Sequence, residues 1–148
     1  MKTCFFIGHR DAPESIYNRL ITVVERHISE YGVTDFVVGR YGNFDRLAAR
    51  AVMEAKQRRS DVTLTLLMPY YRTDAEPLPV GFDGSLFPDD LETVPKRAAI
   101  LRANQYMIHH CDYLIAYDAG RIGNTRKLVS DARKIERLHI ENVASILV

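Results

Sequence analysis

Five short apolar runs alternate along this chain with four longer stretches whose apolar residues recur every three to four positions. The first run, residues 3–7, is almost wholly apolar, which suits a strand covered on both faces. Pro13 then stands where a helix can begin. Ile16, Leu20, Val23, Val24, His27, Ile28 and Tyr31 carry helical spacing over about residues 14–31, and Gly32 is a plausible stop. Residues 35–38 form the second strand. Leu47, Ala48, Ala51, Val52 and Ala55 mark one face of the next helix, and alanines there let it lie close to a sheet.

Residues 62–68 read as the third strand, stopped by Pro69. Periodicity then vanishes to about residue 93, where Pro77, Pro79, Gly81, Gly84 and Pro88 exclude a long helix or a central strand. A loop of about 69–94 inside a compact domain is a lid, a binding loop or disordered. Phe82, Leu86 and Phe87 argue that part of it packs. Ile100, Leu101, Asn104, Met107, Ile108 and Cys111 give one face of a helix over about 96–110. Residues 113–117 form the fourth strand. Leu128, Ala132 and Ile135 face the core from the fourth helix, and residues 143–148 close the chain as a fifth strand.

This alternation predicts one α/β domain over 1–148: a three-layer sandwich around a five-stranded parallel sheet. Right-handed crossovers favour the order 3-2-1-4-5. The long segment between strands three and four then crosses the sheet. The order reverses between strands one and four, and ligands in such sheets sit there, at the carboxyl ends.

Composition alters this picture little. The chain has 148 residues, 47% hydrophobic, with a formal charge of +1. Near-neutral charge argues against a polyanionic partner, so nucleic acid is not expected. The basic cluster of Arg126, Lys127, Arg133, Lys134 and Arg137 reads as a solvated helix face. Cys4 and Cys111 lack metal-ligand spacing and read as small core residues in a reducing compartment. No apolar run spans a membrane and no signal-peptide layout opens the chain, so a cytoplasmic location is expected. Adjacent His109 and His110 point to different sides of a helix, so no metal site is expected.

The chemistry concentrates where strands empty into helices. Residues 36–50 read as a buried strand, a glycine-bearing turn and a helix start, an arrangement whose turn and first-turn amides have no partners of their own. Gly39, Arg40, Tyr41, Gly42 and Asn43 are the candidate phosphate cradle, with a ligand-free tight turn as the alternative. Arg40 is either a fork donor to phosphate or a solvated charge. Asn43 can cap the helix, and Asp45 suits its first turn. Gly8, His9 and Arg10 follow the first strand, where His9 is a ligand donor or a strand-end histidine with ordinary hydrogen bonds. Asp118 and Gly120 follow the fourth strand; Asp118 either accepts a ribose hydroxyl or builds a turn. Gly123, Asn124 and Thr125 open the fourth helix and can cap it with or without phosphate. Asn104 holds either a ligand or a loop. Tyr70, Tyr71 and Arg72 either stack on a base or anchor the long loop.

These landmarks together resemble the SLOG superfamily, nearest its small bacterial branch. The resemblance rests on Gly8-His9-Arg10, on Gly39 with Asp45-Arg46-Leu47-Ala48, on Arg102, Asn104 and Met107, on residues 111–117, and on Gly123-Asn124-Thr125. It implies a Rossmann-like fold that binds a nucleotide or nucleotide-derived small molecule. Its members include the Lonely Guy phosphoribohydrolases, molybdenum-cofactor carriers and DNA-processing protein A. Association into a homodimer or larger homo-oligomer is implied too, and no cofactor. By resemblance, phosphate falls to residues 39–45 and 123–125. The chain departs from the family at Arg40, Asn43, Ile122 and Asn124, where glycines are the pattern. Leu128 stands where the phosphoribohydrolases carry a catalytic glutamate. The leading expectation is therefore a nucleotide-binding protein. The alternatives are an N-glycosidic hydrolase, with Asp118 as the candidate carboxylate, and a DNA-associated protein of the DNA-processing type.

Overall fold

The computed structural model describes residues 1–69, 77–88, 91 and 93–144. The strands are β1 (Lys2–Gly8), β2 (Val33–Val38), β3 (Thr63–Leu67), β4 (Gly84–Leu86), β5 (Tyr113–Tyr117) and β6 (His139–Asn142). The helices are α1 (Tyr17–Ser29), entered through a 3-10 turn at Glu14–Ile16, α2 (Asn43–Lys56), α3 (Lys96–His110) and α4 (Asn124–Arg133).

All neighbouring strands pair in parallel, in the order β4-β3-β2-β1-β5-β6. The five-stranded order expected from the sequence survives inside this sheet, and β4 adds a sixth strand at one edge. Three residues, bounded by glycine and proline, carry no periodic signal. The strand forms because the sheet edge supplies its partners. Lys56 on α2 bonds Gly81 O at 2.7 Å and Asp83 Oδ2 at 2.6 Å, and the Leu64 amide donates to the same carboxylate at 2.8 Å. Phe82 packs on one face of the sheet, and Leu86 and Phe87 on the other.

The last strand also differs from expectation. It runs over His139–Asn142, and Val143 follows it, its amide still bonded to Ala116 O at 2.7 Å. An edge strand half open to solvent keeps polar residues, so the apolar tail beyond it was the stronger sequence signal. Residues 145–148 lie outside the described residues.

Continuous apolar strands have two faces to cover, and each has its own core. Phe6, Phe36, Leu64 and Ile115 pack against α1 and α2; Phe5, Ile7, Val37 and Leu114 pack against α3 and α4. Both cysteines are buried and free. Among the described residues no helix is long and apolar enough to cross a membrane. Because β1 and β5 are neighbours whose following helices lie on opposite faces, the connections diverge beyond their paired carboxyl ends, and a crevice opens there.

Candidate functional site

A cavity of about 170 Å³ occupies that crevice. Its floor is Phe6, Ile7 and Gly8, the end of β1. One wall comes from the β2–α2 corner through Gly39, Tyr41, Gly42 and Asp45, and Arg10 adjoins it. The other comes from Asn124, Thr125 and Leu128 of α4, and α3 contributes Ile100, Leu101 and Asn104. The two loops singled out by the sequence therefore meet in one hollow.

The β2–α2 corner is held by close packing. A Cβ on Gly42 would lie 2.5 Å from the Cα of Arg10, and one on Gly8 would lie 2.3 Å from the Phe44 ring. Only glycine lets these two segments approach so closely. Gly42 takes the cap position of α2, and no side chain caps the helix. Asn43 is the first helical residue and works as a tether. Its amide donates to Arg10 O at 2.8 Å, its Nδ2 donates to Ala12 O at 2.5 Å, and its Oδ1 accepts from Arg46 Nε at 2.8 Å. The Tyr41 amide donates to Asp45 Oδ2 at 3.0 Å. Two amides of this corner thus already serve internal acceptors.

The β5–α4 corner is open. Gly123 caps α4 without side-chain help, in a left-handed conformation (φ 151°), and residues 119–124 are exposed. Asn124 and Thr125 are the first helical residues and face the cavity. Asp118 builds a turn, its Oδ1 accepting from the Gly120 amide at 2.9 Å. Asn142 clasps the Asp118 backbone, with its Oδ1 accepting at 3.1 Å and its Nδ2 donating at 3.0 Å.

Two contacts tie the β1 loop to this corner across the crevice. The Ala119 amide donates to His9 Nε2 at 2.9 Å. Arg121 makes a forked pair with Asp11 at 2.7 and 2.8 Å, which holds the Asp11 carboxyl down at about 2. Accepting an amide requires an unprotonated Nε2. Burial and the nearby Arg121 charge lower the His9 pKa, which suits that role.

Among the described residues, Asp45 supplies the one carboxyl in the cavity wall, and no imidazole or thiol lines it. Burial raises the Asp45 pKa to about 6, against the opposing pull of the Tyr41 amide and the Arg10 charge. A carboxyl near neutrality can sit beside an anion, or donate a proton, as an ordinary aspartate cannot. Leu128, 3% exposed, presents hydrocarbon to the cavity.

A wider groove of about 530 Å³ adjoins the cavity and shares Gly39, Gly42 and Asp45 with it. Arg40, Arg46 and Arg50 line it together with Met53, Val80 and Phe82. Arg46 is paired with Glu14, and the Arg50 guanidinium lies 4.3 Å from the Tyr17 ring centroid.

Of the residues proposed from sequence, the cavity gathers Gly8, Arg10, Gly39, Tyr41, Gly42, Asp45, Asn104, Asn124 and Thr125. Arg40 falls in the groove. His9, Asn43, Asp118, Gly120 and Gly123 stand behind or beside the wall. Sequence reading missed Phe6, Ile7, Ile100 and Leu101, which looked like ordinary core positions; nothing but the crossing of α3 over the crevice brings them to the site. Tyr70, Tyr71 and Arg72 lie outside the described residues.

No protein-family model matches the sequence, and no curated protein matches it. Solved structures do. DNA processing protein A from Streptococcus pneumoniae aligns over 95% of this chain with a TM-score of 0.67 at 14% identity. DNA processing protein A from Helicobacter pylori, solved for its single-stranded DNA binding mode, aligns over 94% with a TM-score of 0.62 at 18% identity. The chain spans 50% and 64% of those two proteins' lengths. The likeness shows the Rossmann-like fold and agrees with the SLOG resemblance. It also overturns the expectation against nucleic acid, because the Helicobacter protein of like fold binds single-stranded DNA. Whole-chain charge averages over the surface, and a net of +1 is compatible with arginines gathered along one groove.

Proposed function

We propose that this domain binds nucleotide phosphate at the crevice. The cavity takes the phosphate and the arginine-lined groove takes the adjoining part of the ligand. The observation that carries this reading is the meeting of Gly39, Tyr41, Gly42 and Asp45 with Asn124 and Thr125 in one hollow at the carboxyl rim. Helix starts present first-turn amides that lack intrahelical acceptors, and the dipole there favours negative charge. Asn104 and Thr125 add neutral side-chain donors. Asp45, partly protonated near pH 6, repels an anion less than an ordinary carboxylate.

A specific observation favours single-stranded nucleic acid as the second reading. The groove shares Gly39, Gly42 and Asp45 with the cavity, and Arg40, Arg46 and Arg50 line it together with Phe82 and Met53. Cations that follow a backbone next to apolar and aromatic surface suit a strand as well as a mononucleotide.

The test compares nucleoside monophosphates by thermal shift with a labelled single-stranded oligonucleotide by fluorescence anisotropy. Ligand at about 100 times its Kd adds about 2.7 kcal/mol of stability. Asn104→Ala and Thr125→Val should each weaken whichever ligand binds by about tenfold, and Arg40→Ala should weaken the oligonucleotide more. Strand binding whose log affinity falls with log salt at about −0.7 per phosphate contact supports the second reading. Mononucleotide binding with no strand binding restricts the site to small ligands. No shift with either ligand rejects both.

A further inference from the structure

Opposite the crevice, at the amino ends of β5 and β6, three potential ligands converge. We propose that His27, His139 and Glu141 form a binding site for a divalent transition metal of the zinc class, clipping α1 to the edge strand β6.

The strand places two of them. His139 and Glu141 are two positions apart on β6, so both side chains leave the same face of the sheet, while Ile140 packs into the core on the other face. That first face is the one α1 covers. His27 lies in the last turns of α1 and points down onto it. One ligand atom from each of the three residues lies within 4.8 Å of the others.

The independent observation is at His27. Its side chain is 0% exposed, and its Nε2 finds no hydrogen-bond partner among the described residues. Its Nδ1 lies 2.7 Å from Val23 O, which fixes the proton there and leaves the Nε2 lone pair directed away. His109 and His110 make the same turn-back bond, but both residues are exposed, unlike His27. A buried ring nitrogen without a partner calls for an explanation, and a metal ion supplies one. A backbone carbonyl accepting from the other nitrogen is also the usual way a ligating imidazole is oriented.

The donor set fits the metal class. Two imidazoles and a carboxylate suit Zn²⁺ and its neighbours, and leave a fourth position for water. Ligands of a tetrahedral ion at about 2.0–2.1 Å lie about 3.3 Å apart. Exposed His139 and half-buried Glu141 have the freedom to close in on a fixed His27. Arg26 bonds Glu141 through Oε2, so the other oxygen serves the metal and the ion pair orients the carboxylate. The rings of Tyr31 and Tyr113, stacked at 5.2 Å, wall the site and meet His27 edge-on. Sequence spacing could not reveal this set, because His27 lies in a part of the chain distant from His139 and Glu141.

The experiment uses the tag-free, chelator-treated chain titrated with CoCl₂ and then ZnCl₂. Visible absorption bands should saturate at one Co²⁺ per chain and be displaced by Zn²⁺, and the Tm should rise with metal concentration. His139→Ala and Glu141→Gln should each weaken binding at least about tenfold with the circular-dichroism spectrum retained, in line with losses seen even for outer-shell changes. A His109→Ala/His110→Ala variant should bind as the parent does. Absence of saturable binding of either metal would falsify the proposal. Binding that survives His139→Ala and Glu141→Gln, or that is lost in the His109/His110 variant, rejects it too.

Discussion

At Gly42 the chain turns from β2 into α2 against the backbone of Arg10; at Gly123 it turns from β5 into α4 with nothing within 4 Å of where a Cβ would stand. Both corners follow the same local rule: an apolar strand, a polar turn, a glycine at the cap position and a helix. Their surroundings differ. The first corner is clasped by the β1 loop, spends two amides on internal acceptors and buries a carboxylate. The second is a solvent-facing lip, joined to the β1 loop by the Ala119 amide on His9 and by the Arg121–Asp11 pair. An anion site built from both would have one closely packed jaw and one open jaw, and local sequence does not say which is which.

The largest break in this comparison comes from filling the tight corner. Gly42→Val should cost about 3 kcal/mol or more in urea denaturation, because its Cβ meets backbone that cannot step aside. Full stability of that variant would mean that the two segments do not pack as described.

The next effect is electrostatic and belongs to the packed corner. Asp45 has a folded pKa of about 6 against 3.8 for the free side chain. A carboxyl raised on folding favours the native state when protonated. Its penalty is absent below about pH 4, grows as pH rises to about 6 and is complete above that. The shift corresponds to about 2–3 kcal/mol. Asp45→Asn keeps an acceptor for the Tyr41 amide and removes the charge. The variant should therefore gain on the parent protein between pH 4 and 7 and hold that gain at higher pH. Paired denaturation curves at pH 4.5 and 7.5 give the difference directly; equal slopes in both proteins would place Asp45 in solvent. A phosphodiester ligand, which does not itself titrate there, should bind the parent more tightly at pH 5.5 than at 7.5 and bind the variant equally at both.

Gly123→Ala is the counterpart in the open corner. It meets no atom but must hold φ at 151°, so the expected loss is about 1–2 kcal/mol, smaller than at Gly42. A loss as large as that at Gly42 would erase the distinction between the two jaws. Smallest of all is Asp11→Ala. Its forked pair with Arg121 is fully exposed, so the denaturation midpoint should stay where it is. Ligand affinity should fall modestly, because the lip loses a tie to the β1 loop; titration calorimetry on both proteins reads the change.

The chain shows how far periodicity carries an α/β reading. Continuous apolar runs identified β1, β2, β3 and β5, and helical spacing identified all four helices, because buried parallel strands and amphipathic helices must repeat in those ways. β4 escaped: a three-residue edge strand owes its conformation to Lys56, Asp83 and the edge of β3, not to its own residues. β6 was placed a few residues late, because a half-exposed edge keeps a mixed sequence.

For the site, residue types and order along the chain determined that two glycine-bearing corners would face the carboxyl rim, since the crossover rule and the strand order leave them nowhere else. Sequence could not tell that Asn43 tethers instead of capping, that Asn142 clasps the Asp118 backbone, or that His9 serves the Ala119 amide. Each of those roles depends on an acceptor or donor from another segment. The same holds for the raised Asp45 pKa and for the convergence of His27 with His139 and Glu141. Local chemistry is written in neighbouring residues; burial and partnership arise only when distant segments are packed together, and they decide what each polar group has left to offer a ligand.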